Sequence, residues 1–245
     1  QSASLNGSTQ YFSKSSPAGM TFTDDFVVSA WIKLSSYSAA GIVTRYNGTS
    51  GWRLAIGSAG QVSLEGYNGG VGNVSYVLAY QAIPLNRWVH IAAQLDMSAF
   101  TATGTTSYIM IDGVDVPVQV VRGGTNPTAL VQAGNLEIGG NNGGVNPFPG
   151  KIAQVAIYSA KVTQANIRAT ISQGLVGNET SLISAYSLSN SVNDLNANAN
   201  NLTAQGSATT TNADSPFGGQ VDGAISATLD YAIVQKITAS TITIQ

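Results

Sequence analysis

The chain has 245 residues, only 9% of them charged, with a formal net charge of -2, one histidine and no cysteine. That length suits one large all-β domain, while the absence of any basic run excludes nucleic acid as a partner, because phosphate binding needs clustered Lys and Arg. Without cysteine there can be no disulfide, thiolate metal site or Cys nucleophile, and no apolar run is long enough for membrane insertion.

Taken in order, residues 5–12 read as a turn and a short strand, closed by Pro17 and Gly19. Residues 26–34 (FVVSAWIKL) alternate with period two: Val28, Ala30, Ile32 and Leu34 point one way, Val27, Ser29, Trp31 and Lys33 the other. This predicts a central strand facing a second sheet, with residues 41–45 as its antiparallel neighbour. Trp52, Leu54 and Ile56 share one face of the next strand, which turns at 57–60 into residues 61–65. Residues 66–73 are too glycine-rich for a strand interior and are expected to form a loop carrying Tyr67.

A second strong strand follows Pro84, with Val89, Ile91, Ala93 and Leu95 facing the core and Trp88, His90, Ala92 and Gln94 facing away. Residues 108–111 meet Asp112-Gly113, a two-residue hairpin signal, and return through 114–118. Pro117 lacks a ladder donor, so the return strand should lie at an edge or leave the sheet there. Residues 136–140 and 150–158 read as strands around a loop, 141–149. The period then changes, and residues 163–173 predict one short helix with Thr163 as cap, Ile167 and Ile171 four apart, and Gly174 as the stop. Residues 184–188 return to strand, and after an Asn-rich loop, 190–201, strand resumes briefly at 202–204.

The succession FVVSAWIKL, IVTRYNGTSGWRLAI, RWVHIAAQLD, YIMIDGVDV, LEIGG and FPGKIAQVAIYSAKVT, followed by a short helix, resembles the laminin-G-like jelly roll of the concanavalin A-like lectin and glucanase superfamily. The resemblance implies an antiparallel two-sheet jelly-roll sandwich over residues 1–211. In one respect the order differs: the segment AYSLSNSVNDLNANANNLTAQGS, similar to one that often opens family members, comes last here. It would still pair beside the first strand, so the ends of the domain should lie close together. Residues 212–245 fall outside the jelly roll as a C-terminal β extension, since residues 229–235 and 241–245 alternate like strands. Two strands are not a stable domain, so the extension must pack on the sandwich, on another copy or on a further partner.

The glucanases of the superfamily would bring a strand bearing Glu-x-Asp-x-x-Glu, because retaining hydrolysis needs two carboxyls about 5–5.5 Å apart. Nothing matches it, and a lone His90 completes no triad without a nucleophile and an orienting acid. No catalytic residue is therefore expected. Sugar rings stack on aromatic side chains while Asn and Arg hold their hydroxyls, which makes Tyr46, Trp52, Arg53, Tyr67, Tyr76, Tyr80, Asn141, Asn142 and Asn146 the ligand candidates, with His90 as a polar contact in the groove. Trp in strands is also commonly core. Asp194, Asn196 and Asn198 alternate in a loop rich in hard oxygen donors, and the resemblance implies a structural calcium near the joined ends; an Asn-rich turn without metal is the alternative.

Two functions compete. One is a non-catalytic carbohydrate-binding or adhesion module whose partner is a glycan or cell-surface polysaccharide. The other is a purely structural component, such as a phage virion decoration or tail protein, forming a homo-oligomer or meeting virion partners through residues 212–245. The absence of cysteine and of an export signal, the few charges, and a leading Gln that could follow removal of an initiator Met favour the second. Either places the chain extracellularly or on a virion surface. A glycoside hydrolase is the least favoured reading.

Overall fold

A computed structural model describes residues 1–67, 69, 74–97, 106–122, 130 and 134–217. In chain order the elements are β1 (Ser2–Asn6), β2 (Tyr11–Lys14), β3 (Phe26–Leu34), β4 (Ala40–Tyr46), β5 (Gly51–Ile56), β6 (Gln61–Tyr67), β7 (Val74–Ala82), β8 (Trp88–Leu95), β9 (Tyr108–Ile111), β10 (Val114–Asp115), β11 (Val118–Arg122), β12 (Leu136–Ile138), β13 (Pro149–Tyr158), α1 (Gln164–Gln173), β14 (Leu182–Tyr186), β15 (Thr203–Gln205) and β16 (Thr209–Asn212). They form two antiparallel sheets. The back sheet runs β10-β9-β8-β3-β13-β1-β16, with β14 also on β13, and the front sheet runs β11-β7-β6-β5-β4-β12-β2-β15.

The alternation of β3 decides the packing. Val28, Ala30, Ile32 and Leu34 are fully buried in one cluster with Trp52, Leu54 and Ile56 of β5 and Val62 and Leu64 of β6. Each such side chain larger than alanine contributes about 1.5–3 kcal/mol by leaving water, and together they hold the two inner faces against each other. The opposite face of β3 meets α1. There Ile167 packs with Val27, Ala92, Met110, Ala156 and Tyr158, a cover that a 10-residue helix needs in order to persist. As expected, the Thr163 side chain accepts from Asn166 N and Gly174 closes the helix.

Two expectations are corrected. β4 is not the neighbour of β3; β3 lies between β8 and β13, and β4 pairs with β5 and β12 in the front sheet. The residues between them carry the chain across the sandwich, and alternation within a strand does not reveal its partner. Residues 66 and 67 belong to β6, so Tyr67 is a strand residue. β7, which pairs with β6 and β11, gave no strand signal, because its outward face is Tyr, Leu and Tyr.

Pro117 marks the point where the chain leaves β10, the edge of the back sheet, to become β11, the edge of the front sheet. At the other side, β15 joins the front sheet and β16 the back sheet, so the turn between them closes that flank. Ser2 pairs with Asn212, and the two ends of the sandwich are adjacent. The strand-like stretches 229–235 and 241–245 lie outside the described residues.

Candidate functional site

The outer face of the front sheet is built from the residues that alternate away from the core. Register aligns Glu137 of β12, Thr44 of β4, Arg53 of β5, Glu65 of β6 and Tyr76 of β7 in one row across five strands. The next row places Tyr46 beside Gly51 and Gly51 beside Tyr67. Because directly opposed residues lie within side-chain reach, this register brings the charges and rings together.

Arg53 is the hub. Its Nε donates to Glu65 Oε2 at 3.0 Å, and its Nη2 donates to the same oxygen and to the Tyr67 hydroxyl. The Tyr67 hydroxyl in turn donates to Glu65 Oε2, and Ser63 Oγ donates to Glu65 Oε1 at 2.6 Å. To one side, the guanidinium carbon lies 5.2 Å from the Tyr46 ring centre and 4.9 Å from that of Tyr67, with the two rings 4.6 Å apart. Burial, followed by the Glu65 charge, pushes the Tyr67 hydroxyl far above its ordinary range, so it remains protonated and a donor. The cluster is fixed before any ligand arrives.

Beside it lies a groove of about 480 Å³, lined by Gly41, Ala55 and Leu78 and by Arg53, Glu65 and Tyr76. Asn141 and Asn146 form part of the opposite wall. Asn141 is buried and its Oδ1 has no hydrogen-bond partner. Their loop is held by Glu137, whose Oε1 and Oε2 accept from Gly143 N and Gly144 N at 2.6 and 3.1 Å. Tyr76, expected as a ligand candidate, lines the groove, whereas Glu137 and the groove-wall residue Ser63 gave no sequence signal as site residues; the outward phase of β6 would have found Ser63.

The other candidates lie elsewhere. Trp52, expected as a ligand contact, is fully buried, its ring 5.9 and 5.8 Å from Phe22 and Phe26. It faces inward because it alternates with Arg53. Tyr80 is exposed on β7 and Asn142 on its loop, and neither lines the groove. His90 is corrected too: it belongs to the outer face of the back sheet, across the sandwich from the groove, packed 5.3 Å from the Trp31 ring. Burial pulls its pKa down to about 3.

Over that back face passes a strap formed by residues 213–217. Asp214 Oδ2 accepts from Lys33 Nζ at 2.8 Å and Lys151 Nζ at 2.7 Å, and Oδ1 accepts from Trp88 Nε1 at 2.8 Å. Ser2 Oγ donates to the Asp214 carbonyl, and the Phe217 ring meets Trp31 edge-on. Burial alone would raise the Asp214 carboxyl, but the hydrogen bonds from Lys151, Lys33 and Trp88 hold it well below the usual carboxylate range.

The Asn-rich loop uses its oxygens internally. Asp194 Oδ1 accepts from Ala185 N and Asn196 N, and Oδ2 from Ser184 Oγ and Asn200 N. Those bonds occupy the four lone-pair positions of a carboxylate. Asn196 Nδ2 donates to the carbonyls of Gly177 and Leu182, Asn198 Nδ2 donates to that of Ile183, and Asn196 Oδ1 accepts from Asn198 N. As arranged, this donor set does not fit a calcium ion, which takes six to eight outward-available oxygens.

The fold and the outward groove define a concanavalin A-like sandwich. The family described as the concanavalin A-like lectin/glucanases superfamily, in its laminin-G-like branch, matches residues 6–168, and the chain belongs to it. Among curated proteins, no sequence matches. Among solved structures, a Bacteroides ovatus protein proposed to bind carbohydrate is 20% identical with a TM-score of 0.58, over 85% of this chain and 59% of that one. This chain therefore spans well under two thirds of that protein. The carbohydrate-binding module of a Ruminococcus gnavus sialidase, bound to α2,3-sialyllactose, is 16% identical with a TM-score of 0.47, over 60% of this chain and 82% of that one. Domain 4 of a Geobacillus stearothermophilus extracellular arabinanase, in complex with arabinotriose, is 20% identical with a TM-score of 0.49, over 69% and 75%. At these identities the likeness is one of fold.

Proposed function

We propose that the protein is a non-catalytic carbohydrate-binding domain whose ligand lies in the front-sheet groove. The observation that carries this reading is the locked Arg53–Glu65–Tyr67 cluster beside a groove lined by the small residues Gly41 and Ala55 and the apolar Leu78. Sugars present apolar ring faces edged by hydroxyls, and the groove offers a smooth apolar surface edged by oriented polar groups. The groove volume lies within the range of about 300–1,000 Å³ usual for small-ligand sites, and because the polar groups are already hydrogen-bonded in place, little ordering cost accompanies binding. The proposed carbohydrate binding of the Bacteroides ovatus protein agrees with this reading. A non-catalytic role is supported by the acids: among the described groove residues Glu65 is the sole carboxylate, whereas both retaining and inverting hydrolysis use two.

The test is a glycan array followed by titration calorimetry on the intact chain and on Ala55→Trp, which fills the groove. Binding by the native chain, reduced at least about tenfold in the variant, or about 1.4 kcal/mol, supports the reading. Absence of glycan binding, or binding untouched by Ala55→Trp, refutes it.

A second role is favoured by the strap. Asp214 fixes the start of residues 212–245 to the back sheet, opposite the groove. Assembly through that extension, on an extracellular or virion surface, would leave the groove facing outward. Light-scattering mass of the full chain against one ending at Phe217 tests this; an unchanged mass refutes it. Among the described residues no helix is long and apolar enough to cross a membrane.

A further inference from the structure

Resting on the reading of the groove as a glycan site, we infer that it selects neutral glycans and rejects sialylated, sulfated and uronate-bearing ones. The argument is one of charge and hydrogen-bond inventory. Of the described residues that line the groove, Arg53 and Glu65 are the charged ones, and they neutralise each other in direct contact. The guanidinium is already spent on one edge: Nε and Nη2 face Glu65 and Tyr67, and the adjacent Tyr46 and Tyr67 rings pack against it from one side. A bidentate clamp on a carboxylate or sulfate, the usual use of Arg toward anions, is therefore closed. What remains is Nη1, a donor.

Beside that donor stand an acceptor and groups that serve either way, among them the Asn146 side-chain amide. Glu65 Oε1 receives one hydrogen bond, from Ser63, and so retains accepting capacity. Tyr76 adds a hydroxyl that can do either. A sugar hydroxyl is donor and acceptor at once and satisfies such a mixed wall, while an anion only accepts and would face the Glu65 oxygen without protons to offer. Burying it there also incurs the desolvation of an uncompensated charge. The net charge of the chain, -2, adds no attraction.

The experiment uses the full chain on an array holding neutral, sialylated, sulfated and uronate-bearing glycans, with 3′-sialyllactose and the strongest neutral hit then titrated. Expected are hits confined to neutral glycans and an affinity that changes by less than about twofold between about 50 and about 500 mM NaCl, since no ion pair forms. The second arm is Glu65→Gln. It changes the groove from neutral to singly positive, so binding of 3′-sialyllactose should rise by about fivefold or more at low salt, while the neutral hit weakens. Native binding to anionic glycans that falls steeply with salt and is lost in Ala55→Trp overturns the inference and leaves the glycan reading standing. Binding that ignores Ala55→Trp, or no glycan binding, removes the reading and the inference together. Should Glu65→Gln not fold, the salt series on the native chain decides alone.

Discussion

Asp214→Asn isolates the strap on the back sheet. The substitution keeps the shape but replaces an acceptor of three hydrogen bonds, two from lysines, with an amide that brings its own donor toward Lys33 and Lys151. A hydrogen bond to a charged group is worth about 1.5–3 kcal/mol when buried. Here the lysine side chains are 28% and 25% exposed and the aspartate 32%, so solvent screening brings the whole cluster to about 1–2 kcal/mol. For a chain of this size that lowers Tm by roughly 2–8 °C if the strap unfolds with the domain. If it opens separately, the loss is local, so the sharper assay is fluorescence: Trp88 loses its Nε1 partner and Trp31 its Phe217 neighbour, and quenching by acrylamide should increase. The pH profile has a fixed sign. The folded carboxyl lies below its unfolded value of about 3.9, so the strap's contribution is complete above that value and disappears as pH falls through the lower folded pKa. Native protein should hold the strap at pH near 4, while the variant lacks it throughout. Equal quenching and equal Tm for both proteins at neutral pH would refute the clasp.

His90 works in the same sense, but across the neutral range. With a folded pKa of about 3, the unfolded chain takes up a proton that the folded one refuses, so lowering the pH from about 7 to about 5 should cost about 2 kcal/mol, a slope absent in His90→Phe by denaturant titration. Glu137→Ala leaves Gly143 N and Gly144 N without acceptors and should destabilise by about 2–3 kcal/mol, with a weaker glycan titration because the Asn141 wall moves. Asp194→Ala should cost at least about 2 kcal/mol, while chelator leaves native Tm unchanged; a chelator-induced drop would restore calcium to that loop. Trp52→Ala should cost about 3–5 kcal/mol and leave glycan affinity per folded molecule as it was.

Much of the fold was legible because its strands announce their inner faces. β3 alternates strictly, Asp112-Gly113 forces a tight hairpin, Pro117 ends a ladder, and Thr163 and Gly174 frame the helix. Pairing was not legible: β4 follows β3 in sequence yet lies in the other sheet, and only the closing of the whole sandwich settles that. The site was half visible. Arg53 and Tyr46 were selected by chemistry, but Trp52 was misplaced because the period of two that exposes Arg53 must bury its neighbour. Glu137 could not have been singled out, since its value lies in two backbone N–H groups six and seven residues away. Asp194 looked like a metal ligand because an oxygen-rich loop has the same composition whether it binds an ion or its own amides.

The adjacency of Ser2 and Asn212 governs how the molecule bears load. β1 and β16 run antiparallel with their outer ends side by side, so a pull that separates the two ends meets their ladder one bond at a time, the geometry of a zipper. Past that ladder, however, Asp214 ties the chain to β3, β8 and β13 at once. Tension entering beyond Phe217 must break those contacts together before it reaches the zipper, which makes a short surface strap the mechanical fuse of the domain.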